Sequence, residues 1–246
     1  MRDGKVVGIL QARMSSTRLP GKVLLPIMGR PMLARQLERL KRSKSLHQLV
    51  VATSDSSSDE PIAEVCETEN VPCFRGSLND VLDRFTRCAH SFGASHIVRL
   101  TGDCPLTDPA LIDELVDFYL SRNVSYASNC RPTSLPDGLD AEIFTIEALE
   151  AAWREADDSF SREHVVPHIL MQPDRFPAAN WTTAEDLSSL RWTVDEPEDF
   201  DFVTKVYEAL YPKNPSFGFK DVLALMQQQP ELISMNNRFE RNQGSR

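Results

Sequence analysis

The sequence predicts an α/β fold: a mainly parallel sheet with helices packed on both faces. Three observations carry this. Five short apolar runs alternate with four segments of helical periodicity before residue 130. The first run, Val6-Val7-Gly8-Ile9-Leu10, has no polar side chain, as suits a strand covered on both faces. A loop rich in cations and hydroxyls follows it directly, at the edge where folds of this class bind ligands.

Strands are predicted at residues 5–10, 48–53, 72–74, 96–101 and 124–127, and helices at 31–42, 61–69, 79–92 and 109–121. The helix at 109–121 starts well, with Asp108 as N-cap and Pro109 in the first helical position. Its apolar residues Leu111, Ile112, Leu115, Val116 and Tyr119 recur at helical spacing. After about residue 128 the alternation loosens, and Pro132, Pro136 and Asp137-Gly138 mark a long loop with a turn. A strand at 141–145, a helix at 146–155 and a helix at 161–171, bent or ended early near Pro167, follow. A short strand at 190–194 and helical segments at 200–211 and 219–228 complete the series. The residues beyond Asn236 read as polar and loose. With no repeat, low-complexity tract or linker, one domain is expected over 1–240, with a loose polar tail at 241–246.

Charge narrows the partners. The chain carries −9 overall, yet residues 4–37 hold six cations (Lys5, Arg13, Arg18, Lys22, Arg30 and Arg35) and no acid. Residues 38–246 therefore sum to −15. A local cationic loop on an acidic protein suits a small polyanion such as a triphosphate, and argues against nucleic acid or an anionic membrane. No run approaches a membrane span, and the first residues lack the pattern of a signal peptide, so a cytoplasmic protein is expected. The five cysteines include no Cys-x-x-Cys spacing and read as free thiols rather than a disulfide frame or a zinc site.

The loop itself reads Gln11-Ala12-Arg13-Met14-Ser15-Ser16-Thr17-Arg18-Leu19-Pro20-Gly21-Lys22. Two common phosphate motifs fail in it: Ser16 stands where a Walker A loop needs its first Gly, and no Gly-x-Gly-x-x-Gly follows the strand. The grip must come from side chains and backbone N–H groups. Arg13 offers a fork for paired oxygens, Lys22 a mobile point charge, and Gly21 a close backbone approach. The alternative is a solvated basic turn. Further on, Asp103 follows the strand at 96–101, where a carboxylate is well placed to hold magnesium; the alternative is a turn residue before Cys104-Pro105.

The run Ala-Arg-Met-Ser-Ser-Thr-Arg-Leu-Pro-Gly-Lys-Val-Leu resembles the first motif of the cytidylyltransferases that activate sugar acids, among them CMP-KDO synthetases and acylneuraminate cytidylyltransferases. It is most similar to the branch of spore coat polysaccharide biosynthesis. Phe74-Arg75-Gly76-Ser77, Asp80-Val81-Leu82-Asp83-Arg84-Phe85, Arg99-Leu100-Thr101-Gly102-Asp103-Cys104-Pro105-Leu106, Pro136-Asp137-Gly138-Leu139-Asp140 and Arg162-Glu163-His164-Val165 resemble that branch in the same order. The resemblance implies the α/β sandwich of nucleotide-diphospho-sugar transferases, a homodimer, Mg²⁺, and transfer of CMP from CTP to a small anionic acceptor with release of pyrophosphate. Arg13, Lys22 and Asp103 would be catalytic. Leu10, Ala12, Arg13, Ser16, Arg18, Lys22, Arg75, Ser77 and Asp80 would meet the nucleotide. Asp195, in Asp195-Glu196-Pro197-Glu198-Asp199, would join Asp103 on the metal; its alternative is a helix N-cap. Asn129, Asp137, Asp140, Glu142, Arg162, Glu163 and His164 would line the acceptor pocket.

Two further patterns read as bland. Asp199 and Asp201 form Asp-x-Asp inside a helical pattern and are expected on a solvated face. His164 and His168 are four apart, but Pro167 interrupts them and no third zinc ligand is obvious. The same loop would serve a pyrophosphorylase acting on a sugar 1-phosphate; a different class is a glycosyltransferase that consumes a nucleotide sugar and would not release pyrophosphate from a free nucleoside triphosphate.

Overall fold

Strand β1 (Val6–Gln11) is buried from Val6 to Leu10. Its side chains alternate between two apolar layers: Val6 and Leu10 join one, Val7 and Ile9 the other. A small ribbon, β2 (Pro26–Ile27) and β3 (Arg30–Pro31), precedes α1 (Met32–Leu40). Then come β4 (Gln48–Ser54), α2 (Glu60–Thr68), β5 (Cys73–Gly76), α3 (Val81–Ser91), β6 (His96–Thr101) and α4 (Pro109–Leu120). The second half holds β7 (Tyr126–Ser128), β8 (Glu142–Thr145), α5 (Ile146–Glu155), α6 (Ser159–His164), α7 (Pro167–Leu170), β9 (Ala178–Asn180), α8 (Pro197–Leu210) and α9 (Phe219–Gln228). This is a computed structural model, and it describes residues 4–239 and 241.

The seven-stranded sheet runs β5-β4-β1-β6-β8-β7-β9. Strands β5, β4, β1 and β6 are parallel, β8 pairs antiparallel with both β6 and β7, and β7 pairs parallel with β9. One core layer collects side chains of α1, α2, α4, α8 and α9, the other those of α3, α5 and the α6–α7 segment. The predicted α/β class, with a mainly parallel sheet and helices on both faces, is therefore what the chain adopts. The chain leaves β1 toward β4 and β5, then returns to place β6 on the other side of β1. That reversal opens a crevice at the carboxyl ends of β1 and β6, where open α/β sheets bind ligands. Among the described residues, no helix is long and apolar enough to cross a membrane.

Several elements differ from expectation. The helix expected at 161–171 is two short helices, parted where Val165 takes φ 71° just before Val166 and Pro167. The strand expected at 190–194 does not join the sheet. It runs instead between two loops: Trp192 N–H donates to Asp137 O at 2.6 Å, and Val194 N–H to Asp103 O at 2.7 Å. The alternating apolar residues were real, but loops rather than a strand lie alongside. Strand β9, in the plain sequence Ala178-Ala179-Asn180, gave no strand signal. Of the expected loose tail, residues 242–246 lie outside the described residues. Arg241 is held: its guanidinium donates to Leu135 O at 3.2 Å and pairs with Asp140. Asn236 is buried, its amide donating to Arg191 O and Asp199.

Candidate active site

The loop after β1 is fixed at both ends. Gly102 N–H donates to Gln11 O at 2.8 Å, and a Cβ on Gly102 would stand 3.1 Å from that oxygen, so the β6 end presses against the start of the loop. Asp59, almost fully buried, pins the loop to the end of β4. One carboxylate oxygen accepts from Met14 N–H at 2.8 Å; the other accepts from Thr53 Oγ1, Ser54 N–H and Ser54 Oγ. Burial works against its charge, and these donors outweigh burial, holding the carboxyl below its ordinary range. At the far end Gly21 takes φ 69°, a left-handed conformation that favours glycine, and starts the short 3₁₀ turn at Lys22–Leu24.

That turn aims Lys22 into the crevice. Its ammonium donates to Val194 O at 2.7 Å and to Asp195 Oδ1 at 2.8 Å, and stands 3.5 Å from Asp103 Oδ2. Burial disfavours the charge, and the two carboxylates outweigh it, raising the lysine pKa. For Asp103, burial likewise opposes ionisation, while Lys22, Thr101 and Cys104 overcome it and lower the pKa. Asp103 keeps 30% of its side chain exposed, so it remains reachable. Arg18 crosses the crevice to the same group, 3.0 Å from Asp195 Oδ2 and 3.4 Å from Glu196 Oε1. Of the predicted nucleotide residues, Leu10 and Ala12 turn their side chains into the core and leave only backbone available. Ser16 Oγ accepts from Leu19 N–H inside the loop. Arg13 is exposed, and its guanidinium makes no hydrogen bond among the described residues.

Asp195 is placed by residues that the sequence reading missed. Asp199 is fully buried, which corrects the expectation of a solvated face; Asp201, two residues on, is exposed. The Asp199 carboxylate accepts from Arg191 Nε and Nη2, both at 2.9 Å, and from the backbone N–H of Asp195 (3.0 Å) and Glu196 (2.9 Å). Asp199 thus caps α8 from inside the helix, and Asp195 precedes the Glu196 cap position with its side chain free for Lys22, Arg18 and Arg191. Burial opposes the charge on Arg191, and Asp199, Asp137 and Asp195 overcome it, raising its pKa. The spacing of the acidic run was visible in sequence, but the partner Arg191 lies in a separate apolar stretch.

At the β5 edge, Arg75 donates to Ser54 O at 3.1 Å and Ser56 O at 2.8 Å and pairs with Glu60. Asp80 caps α3, accepting from Asp83 N–H at 2.9 Å, and receives Arg162 side-on. Arg162 also donates to Trp153 O at 2.7 Å. Ser77 Oγ accepts from Asp80 N–H at 3.0 Å. Arg75 and Asp80, the charged residues expected to meet the nucleotide at this edge, are therefore already paired, and Arg162 belongs with Asp80 rather than with the loop holding Asp137.

The loop after β7 gathers the remaining predicted acids. Asn129, buried, donates to Leu139 O and accepts from Ala141 N–H, both at 2.8 Å, closing the loop. Gly138 takes φ 105°, and a Cβ there would lie 2.4 Å from Thr193 N, so only glycine lets this turn touch the 192–193 backbone. Asp137 then faces Arg191 at 3.1 Å. Burial raises its pKa, with Arg241 and Arg191 opposing. Asp140 is pushed up to about 7 by burial, against the pull of Arg241 and with the help of Asp137 and Glu142. Glu142 is buried, accepting from Arg99 at 2.5 Å and Tyr126 Oη at 2.6 Å. Glu163 is exposed, and His164 packs against Phe160 at a tilt of 56°, ring centroids 4.5 Å apart. His168 instead meets Gln172 and Glu155.

Among the described residues no three His, Cys, Asp or Glu side chains converge as a complete metal site. Asp103 and Asp195 do converge on one cation, the Lys22 ammonium. Two hard carboxylates on a common point suit Mg²⁺, which takes one or two carboxylates and fills its shell with water and phosphate oxygens. The donor set fits such an ion.

Residues 7–236 match the family model described as Cytidylyltransferase. The chain belongs to the cytidylyltransferase family. It is a CTP-dependent nucleotidyltransferase by that membership. It is 30% identical to the spore coat polysaccharide biosynthesis protein SpsF of Bacillus subtilis, over 92% of this chain and 95% of that protein. A solved cytidylyltransferase from Leptospira borgpetersenii serovar Hardjo-bovis is 33% identical, with a TM-score of 0.90 over 96% of this chain and 99% of that one. CMP:2-keto-3-deoxy-manno-octonic acid synthetase, solved in complex with CTP, shares the fold at 16% identity, with a TM-score of 0.65 over 83% of this chain and 99% of that one.

Proposed function

We propose that the enzyme transfers CMP from CTP to a sugar acid of the nonulosonic type or a related anionic acceptor, releasing pyrophosphate, in the synthesis of a surface polysaccharide. The observation that carries this is the Lys22 ammonium held between Asp103 and Asp195 at the mouth of β1 and β6. A cationic loop and an acidic pair meet there, as a triphosphate and its counter-ion require. An acceptor oxygen attacks the α-phosphorus in line; the new O–P bond forms as the bond to the β-phosphate oxygen breaks, and the acceptor proton passes to solvent. Arg13, free of protein partners among the described residues, and Lys22, released from Asp103 and Asp195 as the counter-ion takes its place, neutralise charge on the phosphates. Asp103 and Asp195 would hold Mg²⁺, which supplies charge stabilisation at the phosphate oxygens. The likeness to the spore coat protein supports the polysaccharide assignment. The homodimer implied by the resemblance and a cytoplasmic location are part of the same proposal.

The test is pyrophosphate release from CTP, UTP, GTP and ATP with Mg²⁺ against a panel of sugar acids and sugar 1-phosphates, for the native enzyme and for Asp103→Asn. Release from CTP with a sugar acid is expected, falling by about three orders of magnitude in the folded variant, as is usual when a charge-stabilising group is lost. Turnover only with a sugar 1-phosphate, or an Asp103→Asn enzyme as active as the native one, would overturn the reading.

A further inference from the structure

Lys22 fills the point on which the two acids of the crevice converge. Its ammonium meets three oxygens: Val194 O at 2.7 Å, Asp195 Oδ1 at 2.8 Å and Asp103 Oδ2 at 3.5 Å. The lysine is buried there, while 30% of the Asp103 side chain and 20% of that of Asp195 stay open to the crevice. The other oxygen of Asp195 faces Arg18 and Arg191, so Oδ1 is the one turned toward the shared point.

The oxygens are held by the fold, whereas the lysine is held mainly by them. Val194 N–H donates to Asp103 O at 2.7 Å and Thr193 Oγ1 to the same oxygen at 3.3 Å, which ties the backbones of the two acids together. Asp103 follows Gly102, fixed to Gln11 O, and the backbone of Asp195 is fixed to buried Asp199. Lys22 reaches this cradle on a flexible four-carbon stem. Two carboxylates aimed at one point repel each other unless a cation lies between them. The ammonium supplies that cation, and a divalent ion bound to the same two oxygens would need its place.

We propose that Lys22 is a built-in placeholder: without nucleotide it occupies the divalent-ion position between Asp103 and Asp195, and the ion enters when a triphosphate draws the ammonium away. This deepens the proposed function and rests on the crevice taking CTP. The step is a swap of cations with no covalent change, and the acids are never left bare. Free protein should therefore bind divalent ions poorly, and ion and nucleotide should bind cooperatively, since both favour the arrangement with the lysine withdrawn. If that arrangement makes up about 1–10% of the free protein, the lysine weakens ion binding about 10- to 100-fold.

The experiment measures Mn²⁺ binding from the spin-resonance signal of the free ion, at one pH, with Mn²⁺ as a carboxylate-seeking probe for Mg²⁺. The native protein, Lys22→Met, Lys22→Gln, Arg18→Met and the double variant Lys22→Met/Asp103→Asn are compared without nucleotide, with melting curves to establish folding. Both lysine variants should bind Mn²⁺ about 10- to 100-fold tighter than the native protein. The double variant should lose that gain, which places the ion on the acids. Arg18→Met takes a half-exposed cation from Asp195 but leaves Lys22 where it is, so it should change the affinity by less than about threefold. A mere loss of positive charge would raise affinity alike in Arg18→Met and the lysine variants. Native affinity in a folded lysine variant, or an equal gain in Arg18→Met, would overturn the placeholder. Adding CTP to an excess of native protein should tighten Mn²⁺ binding about tenfold or more beyond that of protein or CTP alone. CTP that binds, by calorimetry, without this tightening would also overturn it. A native protein that binds no CTP would overturn the proposed function, and the nucleotide-free comparison would still decide whether Lys22 holds the place of the ion.

Discussion

Replacing Asp199 by alanine removes a carboxylate that accepts five hydrogen bonds inside the protein: two from Arg191, two from the backbone of Asp195 and Glu196, and one from Asn236. Arg191 is itself 6% exposed and would keep a buried charge with Asp137 and Asp195 as its remaining partners. Breaking a buried pair from one side costs about 3–5 kcal/mol. The lost cap of α8 lies within that figure rather than on top of it, because the same oxygens make both sets of bonds. For a chain of this size each kcal/mol lowers the melting temperature by about 2–4 °C, so a fall of roughly 10 °C is expected. Urea unfolding followed by circular dichroism gives the free energy directly, with the slope showing whether the unfolded state changed. Asp199→Asn should lose less, since it keeps the shape and one acceptor. A loss below about 1 kcal/mol for Asp199→Ala, with an unchanged slope, would refute the reasoning, because a buried arginine stripped of this partner cannot be that cheap.

Two other outcomes follow from the loop that holds Asp137 and Asp140. Gly138→Ala drives a Cβ into the Trp192–Thr193 backbone at a positive φ, and should cost about 2–5 kcal/mol in thermal or urea unfolding while displacing Asp137 from Arg191. Asp140 is raised in the fold from 3.8 to about 7, so between those values the folded chain holds a proton that the unfolded chain has lost. Its contribution to stability therefore falls as pH rises from about 4 to 7, and Asp140→Asn should flatten that part of the stability curve relative to the native protein. A curve of the same slope in both proteins would remove the assignment.

Much of the fold was legible because its signals are local. The strand at 96–101 and the helices at 146–155 and 219–228 follow from apolar periodicity and start chemistry, and their observed bounds agree with the expectation. The cationic loop was legible for the same reason: Arg13, Arg18 and Lys22 sit within ten residues of one another. The stretch at 190–194 was misread because its alternation recorded burial between two loops, and nothing in the stretch distinguishes that from burial in a sheet. Asp199 was misread because charge inside a helical pattern ordinarily faces water, and its exception depends on Arg191 and Asn236, which belong to other segments. Asp59 gave no signal, since it stands at the end of a run of serines and its partners Met14, Thr53 and Ser54 belong to other segments.

The amino-acid order alone determined the class of fold, the place of the cationic loop and the acids that follow the strands, since each depends on neighbours along the chain. Only the tertiary structure decided which charges remain available. Lys22 was readable as a cation, but its position between Asp103 and Asp195 is a property of three segments brought together. Arg75, Asp80 and Arg162 were readable as candidate site residues, but Arg75 is paired with Glu60 and Arg162 with Asp80, contacts that the packing of separate segments sets. The physical reason is that a charge in a protein interior is governed by what lies within a few ångströms, and those neighbours are chosen by the packing of distant segments.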